Sequence, residues 1–167
     1  GVRFANEPDV VTAQARESAL ATHRHPLGID GAVLLAHGVA FAIRTAGEPF
    51  DRSAFFDLLD PLASTDAFKS KLRAAREANS PETRLALGNT IRAQESVPTA
   101  LACFASDPDH FVAAVGGAIL LGGDTDTIAA MTGAMAGARL GEAAIPSVWL
   151  DALEDGETGR RFLLTLG

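Results

Sequence analysis

The sequence predicts an all-α protein, an orthogonally packed bundle of many helices, and three observations carry that prediction. Apolar side chains recur at helical spacing through successive segments, and no stretch makes a convincing strand. Proline, serine, aspartate and glycine stand where helices would begin and end. Alanine and glycine are abundant, and Gly133 and Gly137 lie four apart on one helix face. That spacing lets another backbone approach closely, so tight helix crossings are expected there.

Pro8-Asp9 opens the first helix, which runs to about Thr22 and carries Val10, Val11, Ala13, Ala15 and Leu20 on a mixed face. The second, Gly28 to Ile43, is clearer: Ile29, Ala32, Val33, Leu35, Ala36, Val39, Ala40 and Ile43 recur at helical spacing. Its only ionisable side chains are Asp30 and His37, so it reads as mostly buried. Asp51-Arg52-Ser53 begins a third helix ending near Pro61. Ser64 to Asn79 forms a fourth, whose Lys69, Lys71, Arg73, Arg76 and Glu77 mark a solvated face.

Ser80-Pro81-Glu82 has cap and first-turn chemistry and opens a short helix toward Leu87, which Gly88 ends. Glu95 to Phe104 and Pro108 to Leu121 follow. Phe111 to Leu121 is a long apolar run of a core helix, too short for the ~20 residues a bilayer requires. A helix through Ile128 to Ala138 comes next, without a charged residue, as expected for a helix enclosed on nearly all sides. A short turn of helix near Pro146 to Leu153 and a last one from about Thr158 complete the chain.

The 167 residues suit one domain, and 47% hydrophobic content supplies a sizeable core. A net charge of −7 leaves no broad basic face for gripping nucleic acid by its phosphates, so direct DNA or RNA binding is not expected. The one cysteine, Cys103, allows no internal disulfide and fits a reducing, cytoplasmic location. It sits in the apolar stretch Thr99 to Ala105, where a small buried side chain is the expected role. Gly1 to Arg16 mix Arg, Glu and Asp without the apolar core of a secretory signal, and no membrane anchor is expected.

The segment Gly122-Gly123-Asp124-Thr125-Asp126-Thr127 carries the most chemistry. It sets two carboxylates and a hydroxyl at the mouth of an apolar helix. Hard dications such as Mg²⁺ or Mn²⁺ take such oxygens, with water and substrate phosphate filling the remaining positions. The alternative is helix capping, which a single Asp explains fully; two Asp at i, i+2 followed by Thr exceed what one cap needs. The pattern alone leaves both readings open. The segment lacks the third acid, central Gly and closing Glu of an EF-hand calcium loop.

Gly122-Gly123-Asp124-Thr125-Asp126-Thr127-Ile128-Ala129, the small-residue run through Gly133, Gly137 and Ala138 to Gly141, then Ile145-Pro146 and Trp149, resemble the C-terminal signature of the ADP-ribosylglycohydrolases. Thr22-His23, Gly88-Asn89-Thr90-Ile91 and Glu95-Ser96-Val97-Pro98-Thr99-Ala100 fall in that family's order and near its spacing. The resemblance runs from about residue 10 to about residue 150. It implies the same all-α fold and only the C-terminal half of the family's domain for residues 1–167. In the family, the other half carries a Glu, a Thr-Asp-Asp motif completing a two-metal site, and a Gly-rich loop for the ligand's diphosphate. The chain, which begins at Gly1, is accordingly expected to be a piece of a longer polypeptide.

The resemblance also assigns residues. It implies Asp124, Asp126 and Thr127 as ligands of Mg²⁺ or Mn²⁺, and His23, Asn89, Ile91, Gly122 and Gly123 as the residues facing ADP-ribose. Read without the family, His23 is a helix-end imidazole and Asn89 an ordinary helix stop. Within it, Asn89 would bond and Ile91 would pack against the adenosine end; Thr90 stands where relatives often carry Gly or Ser. His25, His37 and His110 gain no such support. Glu95 reads as a structural first-turn acid.

The implied function is metal-dependent hydrolysis of the bond between ADP-ribose and a protein side chain or small acceptor. The chain would supply half of a binuclear site and be inactive alone, with the missing N-terminal half and ADP-ribose as partners. The alternatives are a non-catalytic ADP-ribose reader or degenerate partner, and a purely structural helical module. Apolar surface meant for the absent half would be left exposed.

Overall fold

The computed structural model describes residues 1–165, and among them there are helices and no strand. The helices are α1 (Pro8–Leu20), α2 (Pro26–Arg44), α3 (Arg52–Leu59), α4 (Asp66–Glu77), α5 (Pro81–Leu85), α6 (Ala93–Ser106), α7 (Phe111–Leu120), α8 (Thr125–Leu140), α9 (Ser147–Asp151) and α10 (Arg160–Leu164). Single 3₁₀ turns at Asp60–Leu62 and Glu142–Ala144 extend α3 and follow α8.

Local chemistry sets the helix ends. The Asp51 carboxylate accepts the Ala54 N–H at 2.9 Å, and Ser80 and Thr83 form a reciprocal capping box at the start of α5. Helix α2 starts at Pro26, two residues before the expected Gly28, because the His25 ring accepts the Leu27 N–H at 3.2 Å and proline suits the first turn. Helix α4 starts at Asp66 rather than Ser64. The buried Asp30 carboxylate of α2 accepts the Ser64 N–H, the Ser64 hydroxyl and the Thr65 N–H at 3.1, 2.6 and 2.8 Å, holding those residues out of the helix.

Helix α6 is the centre of the bundle: Ser96 through Ala105 are all buried. Phe41, Phe50, Phe55, Phe56 and Phe104 form a cluster of mostly edge-on ring contacts, with centroid distances from 5.2 to 6.0 Å, which joins α2, α3 and α6. Helix α2 has the length and composition to cross a bilayer, yet most of it is packed inside, with Asp30 and His37 among its buried residues.

Two helices are less covered than their composition implies. In α7 only Ala114, Val115 and Ala118 are buried, and Leu120 is 88% exposed. Helix α8 buries Ile128, Thr132, Met135, Ala136 and Arg139 but exposes Ala130 and Ala134, a stripe that continues from Asp126 at four-residue spacing. The expected close approach at Gly133 and Gly137 is not a backbone contact either. A Cβ on Gly133 would meet Val115 Cγ2 at 3.6 Å and one on Gly137 would meet the Phe111 ring at 3.9 Å, both ordinary side-chain distances.

Candidate functional site

The turn between α7 and α8 is built from Gly122 and Gly123, both with φ of +70°, a conformation that side-chain-bearing residues rarely adopt. It is clasped to the turn after α5. The Asp124 N–H donates to the Asn89 carbonyl at 2.7 Å, and the Asn89 side-chain amide donates to the Leu121 carbonyl at 2.9 Å. Asn89 thus ties the two glycine turns together. On the other side, the Thr99 hydroxyl donates to the Gly88 carbonyl at 2.6 Å.

Glu95, in the first turn of α6, braces the same turn by accepting the Thr90 hydroxyl at 2.6 Å and pairing with Arg92 at 3.4 Å. The Thr90 hydrogen bond, aided by Arg92, holds its carboxyl below the usual range. This is the structural first-turn acid that its position in the sequence implied.

Asp124 occupies the N-cap position of α8 and makes no side-chain cap bond. Its carboxylate instead accepts the Thr127 hydroxyl at 3.0 Å. With its proton committed to Asp124, the Thr127 oxygen keeps its lone pairs for an outside ligand. Asp126 and Thr127 are exposed and Asp124 is half-buried. Two carboxylates and a hydroxyl are hard oxygen donors suited to Mg²⁺ or Mn²⁺, and they fall short of a full coordination sphere. Among the described residues, no group of three or more His, Cys, Asp or Glu side chains converges on a metal-sized site.

A cleft of about 340 Å³ opens beside Thr127. His23, Ile91 and Thr127, far apart in sequence, line it together; Asn89, Gly122, Gly123, Asp124 and Asp126 do not. Its apolar wall is the stripe Gly28, Gly31, Ala32 and Leu35 of α2, with Met131 one turn after Thr127. Ser18, Thr22 and Ser96 add hydroxyl-bearing residues that the motifs leave unassigned. The legible signal was helical spacing: Ser18 precedes Thr22 by four, and Thr127 precedes Met131 by four.

His23 is held in place. Its Nδ1 is 2.7 Å from the Thr22 hydroxyl, and its Cβ lies over Gly28, where an added methyl would come within 2.8 Å. Ile91 is 85% exposed, an apolar side chain standing at the cleft with little protein around it. A groove of about 740 Å³ shares Ser18, Ala32 and Leu35 with the cleft and runs between α1, α2 and α8. Its lining is mostly small and apolar, including Ala36, Val39, Ala134 and Ala138.

The sequence profile of the ADP-ribosylglycohydrolases matches residues 1–166. This chain belongs to that family. Among curated relatives it is 34% identical to the ADP-ribosylhydrolase ARH3 of Xenopus tropicalis, over 85% of the chain and 49% of the relative. It is also 34% identical to the human ADP-ribosylhydrolase ARH3, over 84% of the chain and 47% of the relative. An uncharacterized protein of Archaeoglobus fulgidus is 32% identical over 89% of the chain and 48% of its own length. The chain spans about half the length of the curated relatives it matches.

Elsewhere in this ADP-ribosylglycohydrolase chain, Cys103 and His37 are buried outside the cleft lining. Burial pushes the Cys103 thiol up to about 11, so it stays protonated and inert near neutrality. His37 is buried on α2, its Nε2 2.8 Å from the Thr12 hydroxyl, and burial with the Arg44 charge lowers its pKa. Its contact joins α1 to α2.

Proposed function

We propose that this chain is half of a dication-dependent ADP-ribosylhydrolase, hydrolysing the glycosidic bond between ADP-ribose and a protein side chain or small acceptor. The observation that carries the reading is the Asp124–Thr127 bond. Asp124 leaves the helix N-terminus uncapped and orients the Thr127 hydroxyl at the lip of the cleft that His23 and Ile91 share. The Asp124 carboxylate turned to the Thr127 hydroxyl, rather than to a backbone N–H of the first turn, supports this reading over simple capping.

In this reading Asp124, Asp126 and Thr127 hold Mg²⁺ or Mn²⁺, and Asn89, Gly122 and Gly123 fix the turn that presents them. A bound dication would supply Lewis acidity for orienting ribose hydroxyls and lowering the pKa of a water. His23, positioned by Thr22 and Gly28, donates to or accepts from the ligand's polar groups, and Ile91 covers an apolar face of the nucleoside. Uncapped N–H groups in the first turn of α8 favour the anionic part of the ligand. Cleavage at the anomeric carbon also needs a group to handle protons. Among the described residues, no carboxylate lines the cleft. We assign that group, the remaining metal ligands and the cover over α8 to the half of the domain that the relatives have in addition. The single buried thiol fits action in the reducing cytoplasm.

The test has two parts. Mn²⁺ titrated into the chain should bind weakly, and Asp126→Ala should abolish binding; identical titrations would return the acids to a capping role. Turnover of an ADP-ribosylated substrate should be absent for the chain alone and appear when the complementary half is added in trans. Full activity of the isolated chain would overturn the half-site assignment. A binding role without turnover is the second reading, and it requires ADP-ribose binding with no turnover even after complementation.

A further inference from the structure

The bonds that hold His23 at the cleft also decide which of its ring nitrogens carries the proton. In the last turn of α1 the Ala19 carbonyl accepts the Thr22 N–H at 3.0 Å and the His23 N–H at 2.6 Å. A carbonyl oxygen has two lone pairs, and both are engaged. The Thr22 hydroxyl lies 3.5 Å from that oxygen, at the limit of a hydrogen bond, but only 2.7 Å from His23 Nδ1. Its proton therefore goes to the ring. A neutral imidazole carries one N–H, and a nitrogen that accepts a hydroxyl proton is not the one that holds it, so the hydrogen sits on Nε2.

Gly28 holds the opposite edge of the ring. A Cβ there would stand 2.8, 3.4 and 3.5 Å from His23 Cβ, Cγ and Cδ2, so the imidazole lies where a larger residue on α2 would displace it. With Nδ1 engaged by Thr22, Nε2 is the ring nitrogen left for the cleft, and among the described residues it has no hydrogen-bond partner. The other polar side chains of the lining are hydroxyls. Thr22, Ser96 and Thr127 each give their proton to a protein acceptor, respectively His23 Nδ1, the Arg92 carbonyl at 3.2 Å and the Asp124 carboxylate at 3.0 Å. Ser18 aside, His23 is the lining side chain with a proton to give.

We propose that Thr22 is a positioning residue that locks His23 as an Nε2–H donor, so that this end of the cleft selects a ligand group with an acceptor oxygen or bare ring nitrogen and disfavours an ammonium or amide N–H. Two donors facing each other leave both unpaired, which is the source of the discrimination. The tautomer stands on the geometry alone; the choice of ADP-ribose as its ligand rests on the hydrolase reading.

Long-range ¹H–¹⁵N correlation of the histidine rings, recorded on the ¹⁵N-labelled chain at about pH 8.5 where an ordinary imidazole is neutral, reads the tautomer directly, and His23→Ala assigns the His23 signals. The wild type should show a protonated Nε2 and an unprotonated Nδ1. Thr22→Val should move the two nitrogens toward the average of exchanging tautomers, and Thr22→Ser should restore the wild-type pattern. Titrated by calorimetry, ADP-ribose should bind Thr22→Val about fivefold more weakly, the worth of about one hydrogen bond, and Thr22→Ser within about twofold of the wild type. Placed on His23→Ala, Thr22→Val should cause no further loss, whereas a contribution of Thr22 that bypasses His23 would add to it. An Nδ1–H ring, a spectrum indifferent to Thr22→Val, or additive losses would overturn the proposal even where ADP-ribose binds. The Nε2–H pattern with no ADP-ribose binding at all would instead overturn the hydrolase reading and leave the tautomer in place.

Discussion

Gly123 lies directly beneath the carbonyl of Asn89: a Cβ at position 123 would stand 2.1 Å from that oxygen. The neighbouring Asp124 N–H donates to the same oxygen at 2.7 Å, so the contact and the hydrogen bond enforce each other. Gly123→Ala would combine a backbone clash with an unfavourable φ of +70°. The left-handed conformation alone costs about 1–2 kcal/mol, and a backbone oxygen has no rotamer by which to retreat. The expected outcome is a loss of more than about 2 kcal/mol, a midpoint lower by roughly 5 °C or more, and no Mn²⁺ binding. Thermal melts and Mn²⁺ titration check this. A variant that melts like the wild type would show that the clasp does not hold in solution.

At Gly28 two effects oppose each other. Alanine is favoured over glycine inside a helix by about 1 kcal/mol, which predicts stabilisation. Yet the new methyl would come within 2.8 Å of the His23 Cβ, an atom no rotamer can move, so the backbone at residue 23 must shift and carry the imidazole with it. His23 is exposed and near a chain turn, so it can yield at little cost in stability. Gly28→Ala should therefore melt within about 1 kcal/mol of the wild type while weakening ADP-ribose binding by about tenfold. Calorimetry of both quantities separates the outcomes; unchanged affinity would remove His23 from the ligand site.

The bundle was legible where one helix face alternates cleanly with another, as in α2, and where Asp51, Ser80 and Pro81 carry the cap chemistry themselves. It was less legible at α4, whose start is set by Asp30, 34 residues away from its bonding partner Ser64. Composition also overstated burial. Ile119 and Leu120 of α7 and Ala130 and Ala134 of α8 are as apolar as any core residue and stand exposed, since a sequence reports what a side chain prefers and not whether a neighbour exists to cover it. For the candidate site, motif order brought His23, Ile91 and Thr127 to attention, and the cleft brings them together. The clasping role of Asn89 and the alternative bond of Asp124 depend on atoms from distant segments or on side-chain rotamers, neither of which spacing encodes.

Gly133 and Gly137 offer a stability prediction opposite to that of Gly123. Their spacing implied a backbone contact, but a Cβ at either would meet only Val115 or Phe111 side chains, at 3.6 Å or more. Helix propensity then decides the sign. Gly133→Ala and Gly137→Ala should each leave stability unchanged or raise it by up to about 1 kcal/mol. Chemical denaturation checks the pair, and a loss of more than about 1 kcal/mol would reveal a closer approach of α7 to α8 than the structure holds.

Cys103 gives the chain a defined alkaline limb. Burial is the main cause that raises its thiol from an ordinary 9.0 to about 11, with Asp107 adding to the rise and the Arg84 charge opposing it. Below pH 9 the thiol is protonated in both folded and unfolded chains and contributes no slope. Between about pH 9 and 11 the unfolded chain releases its proton first, so stability falls as pH rises, by up to about 2–3 kcal/mol. Lysines and arginines also act on alkaline unfolding, which makes the difference between two proteins the useful quantity. Cys103→Ala removes the thiol at a nearly pH-independent packing cost of about 1 kcal/mol. The wild type should therefore be the more stable protein at pH 8, and its advantage should vanish or reverse by pH 11. Urea denaturation of both proteins at several pH values checks the crossing; parallel curves would mean that the thiol ionises as freely in the folded chain as in the unfolded one.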